Sequence, residues 1–252
     1  MNETSGTDRR ERGGGDVALE ATNVSHSYGD LEVLDGVSLS LGRGGVFALV
    51  GANGSGKTTL LRILAGLLTQ DGGDVRIDTK EAPRTVGYLP QQPAFRSGFT
   101  AGESLRFYAR LLTEEVPEGY VEDALETVGL SDARDRDVSG LSGGMTRLLG
   151  VAQALVGDPP IVMLDEPTSG LDPEMTGRVF GILGDLADEG KAVVTTTHDI
   201  GRVERDADEV MMIHDCVVAA SGAPDDIVES RGTDDLSEVF DTVVRGEEGE
   251  RG

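Results

Sequence analysis

At 252 residues the chain can bury a full hydrophobic core, as one large domain or as a core with a smaller lobe. Its 46 Asp and Glu outnumber 22 Lys and Arg, a formal net charge of -24 that argues against a nucleic-acid footprint. Its lone cysteine, Cys216, excludes an intramolecular disulfide and suits a reducing compartment, and no apolar run approaches the ~18 residues of a membrane span.

Residues 1–16 are polar, charged and Gly-rich, without the apolar stretch of a secretion signal, and are expected to form a disordered tail on a soluble chain that stays inside the cell. From Val17 to Leu41 short alternating apolar runs, broken by Gly29-Asp30 and Asp35-Gly36, predict antiparallel strands. VFALV (46–50) predicts a buried strand feeding a Gly-rich loop, TTLLRILAGL a helix leaving it, and Gly72-Gly73 a turn into the strand DVRID. Residues from about 95 to 140 change character to a helical insert. There Thr100 and Glu103 form a capping box before SLRFYARLL, and VEDALETV runs up to Gly129.

LSGGM (141–145) opens the next helix, whose apolar face is Leu148, Leu149, Ala152 and Leu155. IVMLDEP is a buried strand ending in two carboxylates; Asp172-Pro173 supplies N-cap and N1 of a helix that Gly190 ends. AVVTTTHD is a further buried strand, and Cys216, in the strand-like VMMIHDCVVA, reads as a packing residue rather than a reactive thiol. Strands alternating with helices give an α/β fold with a parallel core sheet. The expected division is a tail (1–16), one catalytic domain (17–232) and a C-terminal helix with an acidic tail (233–252).

GANGSGKT fits the G-x-x-x-x-G-K-[ST] phosphate loop, with a strand before it and a helix after it. The residues Gly51, Ala52, Asn53, Gly54, Ser55, Gly56, Lys57, Thr58 and Thr59 are therefore expected to hold a nucleotide. Backbone amides from Asn53 to Thr58 wrap the β-phosphate, Lys57 neutralises β and γ oxygens, and the Thr58 hydroxyl ligates Mg²⁺. Asp165 and Glu166 close a strand at the sheet edge where ligands of such folds sit. Asp165 is assigned to Mg²⁺ and Glu166 to deprotonating the attacking water. His198, taken alone, reads equally as a surface histidine. Ser142, Gly143 and Gly144 form a second anion-favouring helix start, so one chain carries two grips for one kind of ligand.

In order, GANGSGKTT, the Gln91 in GYLPQ, LSGGM, IVMLDEP, SGLD and the His of TTTHD resemble the nucleotide-binding subunit of ATP-binding cassette (ABC) transporters, over residues 17 to about 225. The resemblance implies a P-loop NTPase core with an N-terminal antiparallel β subdomain and a helical insert, hydrolysing ATP with Mg²⁺. It implies that Tyr28 stacks on adenine, Gln91 couples Mg²⁺ and the γ-phosphate to the membrane partner, Asp172 lies at the subunit contact, and His198 holds the γ-phosphate. On their own residue types Tyr28 reads as a half-buried strand aromatic and Gln91 as a loop residue; His26 and His214 match nothing and are left structural. It also implies a head-to-tail pair, a homodimer or a pair with a similar cassette, in which LSGGM caps the neighbour's ATP.

Two positions depart from the family pattern: Met145 stands where the signature usually has Gln, and the basic run after it is reduced to Thr146-Arg147-Leu148. A Met ending, ESLRFYARL and DDLSEVFDTVV resemble the subset serving type-2 exporters, which includes drug and polysaccharide exporters and a maturation ATPase for nitrous oxide reductase. The expectation is an ATPase subunit on the inner face of the membrane, driving a separate integral membrane permease as an exporter, with the cargo unread. The alternatives are a soluble ABC ATPase without transport, such as the iron–sulfur assembly type, and a GTPase or kinase, which leaves LSGGM unexplained. The acidic excess resembles the surface of proteins from salt-loving organisms, against an ordinary acidic protein.

Overall fold

The computed structural model describes residues 16–78, 82–113 and 115–245; the expected tail up to residue 15, Lys80 and the acidic end from residue 246 lie outside the described residues. Strands β1 (Val17–Tyr28) and β2 (Leu31–Gly42) form a hairpin across Gly29-Asp30, and β4 (Gly72–Ile77) pairs on the other side of β1, giving an antiparallel sheet of order β2-β1-β4. Asp35-Gly36 does not break β2, although the sequence suggested that it would. The register steps from His26↔Leu34 to Val24↔Val37, so the extra residue bulges out while pairing continues on both sides. Gly72 and Gly73 likewise belong to β4 rather than to a turn before it.

The second sheet holds β5 (Val86–Leu89), β6 (Ile161–Asp165), β7 (Ala192–Thr196), β3 (Gly45–Val50), β8 (Glu209–His214) and β9 (Val217–Gly222), in that spatial order. All its pairs are parallel except β8 with β9. Its central strands read as continuous apolar runs because each face meets a different core. Val46, Ala48 and Val50 of β3 join one cluster while Phe47 and Leu49 join the other, and β6, β7 and β8 alternate in the same way. The first cluster is built with the helices, and the second fills the space between this sheet, α1 (Lys57–Leu64) and the antiparallel sheet.

Helices α2 (Ala101–Leu112) and α3 (Tyr120–Thr127) occupy the insert, and the Thr100/Glu103 capping box is formed in full. Then come α4 (Gly143–Leu155), α5 (Pro173–Asp188), α6 (Ile200–Asp206), α7 (Pro224–Arg231) and α8 (Leu236–Arg245). Among the described residues no helix is long and apolar enough to cross a membrane. Cys216 lies in the turn between β8 and β9, not in a strand: Asp215 and Cys216 both have positive φ, and the half-buried thiol reaches Glu32 O at 3.2 Å.

A surface of charge -24 repels itself wherever screening is weak. The melting temperature is expected to fall as KCl is lowered from molar to ~0.1 M, where the screening length grows from about 3 to about 10 Å. A melting temperature that stays put across that range overturns the salt-adapted reading of the composition.

Candidate functional site

Because β6, β7 and β3 are parallel neighbours, their carboxyl ends deliver the Gly51 loop, Asp165-Glu166 and Thr197-His198 to one edge of the sheet. The loop from Gly51 turns into α1 at Gly56, whose φ of 97° suits glycine and where a Cβ would lie 2.4 Å from Val33 O. That close approach seats the start of α1 against β2. Lys57 is buried and its Nζ donates to Gly51 O (2.8 Å) and Ala52 O (2.9 Å). Burial pulls its pKa below the usual lysine range, opposed by the Glu166 and Asp165 carboxylates.

Asp165 is almost wholly buried, and its Oδ1 accepts from the hydroxyls of Thr58 (3.1 Å) and Thr196 (2.7 Å). The same Thr196 hydroxyl accepts from Glu166 N at 2.8 Å, so one side chain sets both acidic residues. Glu166 sits at φ 49°, a left-handed conformation unusual outside glycine and a strain of the kind that gathers at functional sites. Its Oε2 lies 3.0 Å from Nδ1 of His198, whose side chain is 68% exposed while that of Glu166 is 9% exposed. A buried carboxylate touching an open imidazole at a cleft mouth can take a proton from water and keep its orientation while doing so.

These groups border a cleft of about 400 Å³ lined by Gly51, Ala52, Asn53, Gln91, Glu166, Ser169, His198, Phe240 and Val244. The sequence-read phosphate loop, Gln91, Glu166 and His198 thus come together, with Asp165 and Thr58 bonded beside them. Ser142, Gly143 and Asp172 lie elsewhere, exposed at the starts of α4 and α5, where Ser142 Oγ caps Met145 N (3.2 Å) and Asp172 Oδ1 caps Met175 N (2.9 Å). Met145, where the signature usually has Gln, is half-buried and packs on the core. Tyr28, 49% exposed at the end of β1, stands outside the cleft lining and meets His26 edge to face, with ring centroids 4.8 Å apart. The buried His26 lies 3.3 Å from Asp71.

The sequence reading gave four residues no role in the site: Thr196, Phe240, Val244 and Arg147. The Arg147 guanidinium, on α4, donates to Gln91 O and to Ser169 O (3.2 Å). Burial lowers its pKa, and the Glu166 and Asp165 carboxylates oppose the shift as they do for Lys57. A threonine in an otherwise apolar buried strand was a legible sign, since its hydroxyl must find a partner. The others act over long sequence separations that no local pattern records.

A divalent cation fits the donors present. Among the described residues no three His, Cys, Asp or Glu side chains converge, whereas the Thr58 hydroxyl and an Asp165 carboxylate oxygen are adjacent. Hard oxygen donors of this kind, completed by phosphate oxygens and water, suit Mg²⁺ rather than a transition metal. Buried Ser55 Oγ, in the phosphate loop, has no hydrogen-bond partner among the described residues.

Residues 34–169 match the family model described as ABC transporter. The Nod factor export ATP-binding protein I of Paraburkholderia xenovorans (strain LB400) is 36% identical over 234 residues, covering 89% of this chain and 77% of the relative. That of Sinorhizobium fredii (strain NBRC 101917 / NGR234) is 35% identical over 235 residues, covering 89% and 68%. Among solved structures, an ATP-binding subunit of an ABC transporter superposes with a TM-score of 0.79 at 26% identity, covering 90% of this chain and 99% of that one. A dimeric cassette in a post-hydrolysis state with ADP and phosphate gives 0.74 at 25% identity, covering 81% and 98%. With relatives named for export, the iron–sulfur assembly alternative falls away. The chain belongs to the ABC transporter family and is one of its ATP-hydrolysing, ATP-binding cassettes.

Proposed function

We propose that two copies of this cassette, or one copy and a similar chain, pair head to tail around two ATP molecules and drive a separate integral membrane permease in the export direction. The observation that carries this reading is the separation of the two phosphate grips. Lys57, Asp165, Glu166 and His198 gather at one cleft, while the LSGGM helix start is exposed and takes no part in lining it. A grip turned outward serves a ligand held by another chain. The dimeric cassettes among the structural neighbours and the export names of the relatives support the same arrangement.

In this reading amides of the Gly51–Thr59 loop and Lys57 hold the phosphates, and Tyr28 stacks on the base. Thr58, Asp165 and Gln91 would hold Mg²⁺, which supplies charge neutralisation for the phosphate oxygens. Glu166 takes the proton of the attacking water, His198 orients Glu166 and meets the γ-phosphate, and Asp172 faces the partner cassette. Because ATP forms part of the contact, hydrolysis weakens the pair and yields a two-state motion that a permease can use. The chain would then work as a peripheral subunit on the inner face of the membrane. Affinity purification from detergent-solubilised membranes is expected to bring down a protein with several membrane spans. Recovery of the cassette alone, with all of it in the soluble fraction, overturns the transport role.

A further inference from the structure

We infer that Arg147 is a positioning residue tying the LSGGM helix of one chain to that chain's own cleft, so that ATP bound by the neighbour at the helix start is felt at Gln91 and Ser169. The inference rests on the head-to-tail reading above and adds to it the path between the two sites.

Arg147 lies five residues beyond the capping Ser142, about 7.5 Å along a rigid helix axis. Its planar guanidinium spreads to two loops: one nitrogen donates to Gln91 O and another to Ser169 O. Both loops are lips of the cleft. Gln91 lines it, and Ser169, three residues past Glu166, lines it too and donates its own N–H to Glu166 O at 3.2 Å. A shift of the helix start therefore reaches the Mg²⁺-facing and base-bearing sides of the site through a single side chain.

Packing prevents α4 from moving without these neighbours. A Cβ on Gly150 would stand 2.6 Å from Leu89 Cδ1 and 3.0 Å from Pro93 Cβ, so the helix presses on β5 and on the stretch that follows Gln91. Charge adds a second constraint. In a chain of net charge -24, both Asp165 and Glu166 act on the buried Lys57 and on the half-buried Arg147. Lysine could keep that charge at position 147 but not the fork, because one ammonium does not present two fixed, diverging donors.

The test compares the full-length wild type, Arg147→Lys and Arg147→Met at one protein concentration, recording hydrolysis against ATP concentration, equilibrium ATP binding and melting temperature. The wild type is expected to be sigmoidal, with a Hill coefficient approaching the number of coupled sites. Both variants are expected to turn over ATP hyperbolically, with binding and melting temperature close to wild type. A general loss of structure would lower the melting temperature and the rate without straightening the curve. A hyperbolic wild type overturns this inference and leaves the pairing to be judged by gel filtration of the ATP-bound chain. A sigmoidal wild type beside a sigmoidal Arg147→Lys leaves the pairing intact and overturns the role of the fork. An Arg147→Lys chain with no turnover places Arg147 in hydrolysis and overturns its role as a link.

Discussion

A Glu166→Gln chain is expected to bind ATP as the parent does but to hydrolyse it about 10²–10⁴-fold more slowly, the usual contribution of a positioned general base. The substitution changes little else. The amide has the shape of the carboxylate and can keep a hydrogen bond to His198, which lies 3.0 Å from Oε2. The Thr196 hydroxyl bonds the backbone N–H of residue 166 and not its side chain, so the strained turn keeps its support. What is lost is the ability to take a proton, together with one negative charge close to Lys57. Losing that charge favours a polyanion, so binding should be held or tightened while turnover falls. The chain should then accumulate as an ATP-held dimer that survives gel filtration. Normal turnover would remove Glu166 from the mechanism.

The parts of this site that could be read from the sequence are those whose physics is local. A strand covered on both faces must be apolar throughout, so VFALV, IVMLD and AVVTT stood out, and each ends where the polar chemistry begins. Helix starts were legible for a similar reason: Thr100, Ser142 and Asp172 supply side-chain acceptors to amides three residues on, and all three caps are formed. The reading failed where a local pattern had two physical solutions. Asp35-Gly36 is turn-like in composition, yet a positive-φ glycine serves a bulge as well as a turn, and pairing with β1 selected the bulge. Asp215-Cys216 lacks glycine and sits between apolar runs, which hid a hairpin turn within an apparent strand.

Long-range contacts were beyond reach for a different reason. Arg147 bonds loops 56 and 22 residues away, and Thr196 bonds Asp165 31 residues away. No periodicity or spacing encodes such partners. Phe240 and Val244 belong to the expected C-terminal helix, but only the fold places both residues in the wall of the cleft. Sequence patterning therefore located the groups proposed to do chemistry, and the tertiary structure identified the groups that hold them in place.

The arrangement of the two grips predicts complementation between chains that are each inactive. Lys57→Ala removes the ammonium from the phosphate loop, along with its bonds to Gly51 O and Ala52 O, and leaves the distant LSGGM start whole. Ser142→Arg places a large cation where the helix start must admit a phosphate, and leaves Gly51–Thr59 whole. The second change also deletes the cap on Met145 N, a loss of about 1 kcal/mol that the buried face of a 13-residue helix should tolerate. If LSGGM served its own chain's ATP, a mixed dimer would contain no intact site. If it serves the neighbour's, the mixed dimer has one, formed by the phosphate loop of the Ser142→Arg chain and the LSGGM of the Lys57→Ala chain. Random pairing at equal amounts makes about half the dimers mixed, each with one of two sites restored, so about a quarter of the wild-type rate is expected where sites fire independently. Loss of a preorganised donor to transition-state charge costs on the order of 10²–10³ in rate, so that recovery should stand far above either variant alone. Where both sites must fire together, turnover would stay low while the restored site still traps nucleotide, so trapping in purified mixed dimers is measured beside hydrolysis. Mixed dimers that neither trap nor hydrolyse ATP, when wild-type dimers do both, overturn the arrangement in trans, because that arrangement gives every mixed dimer one site with no part missing.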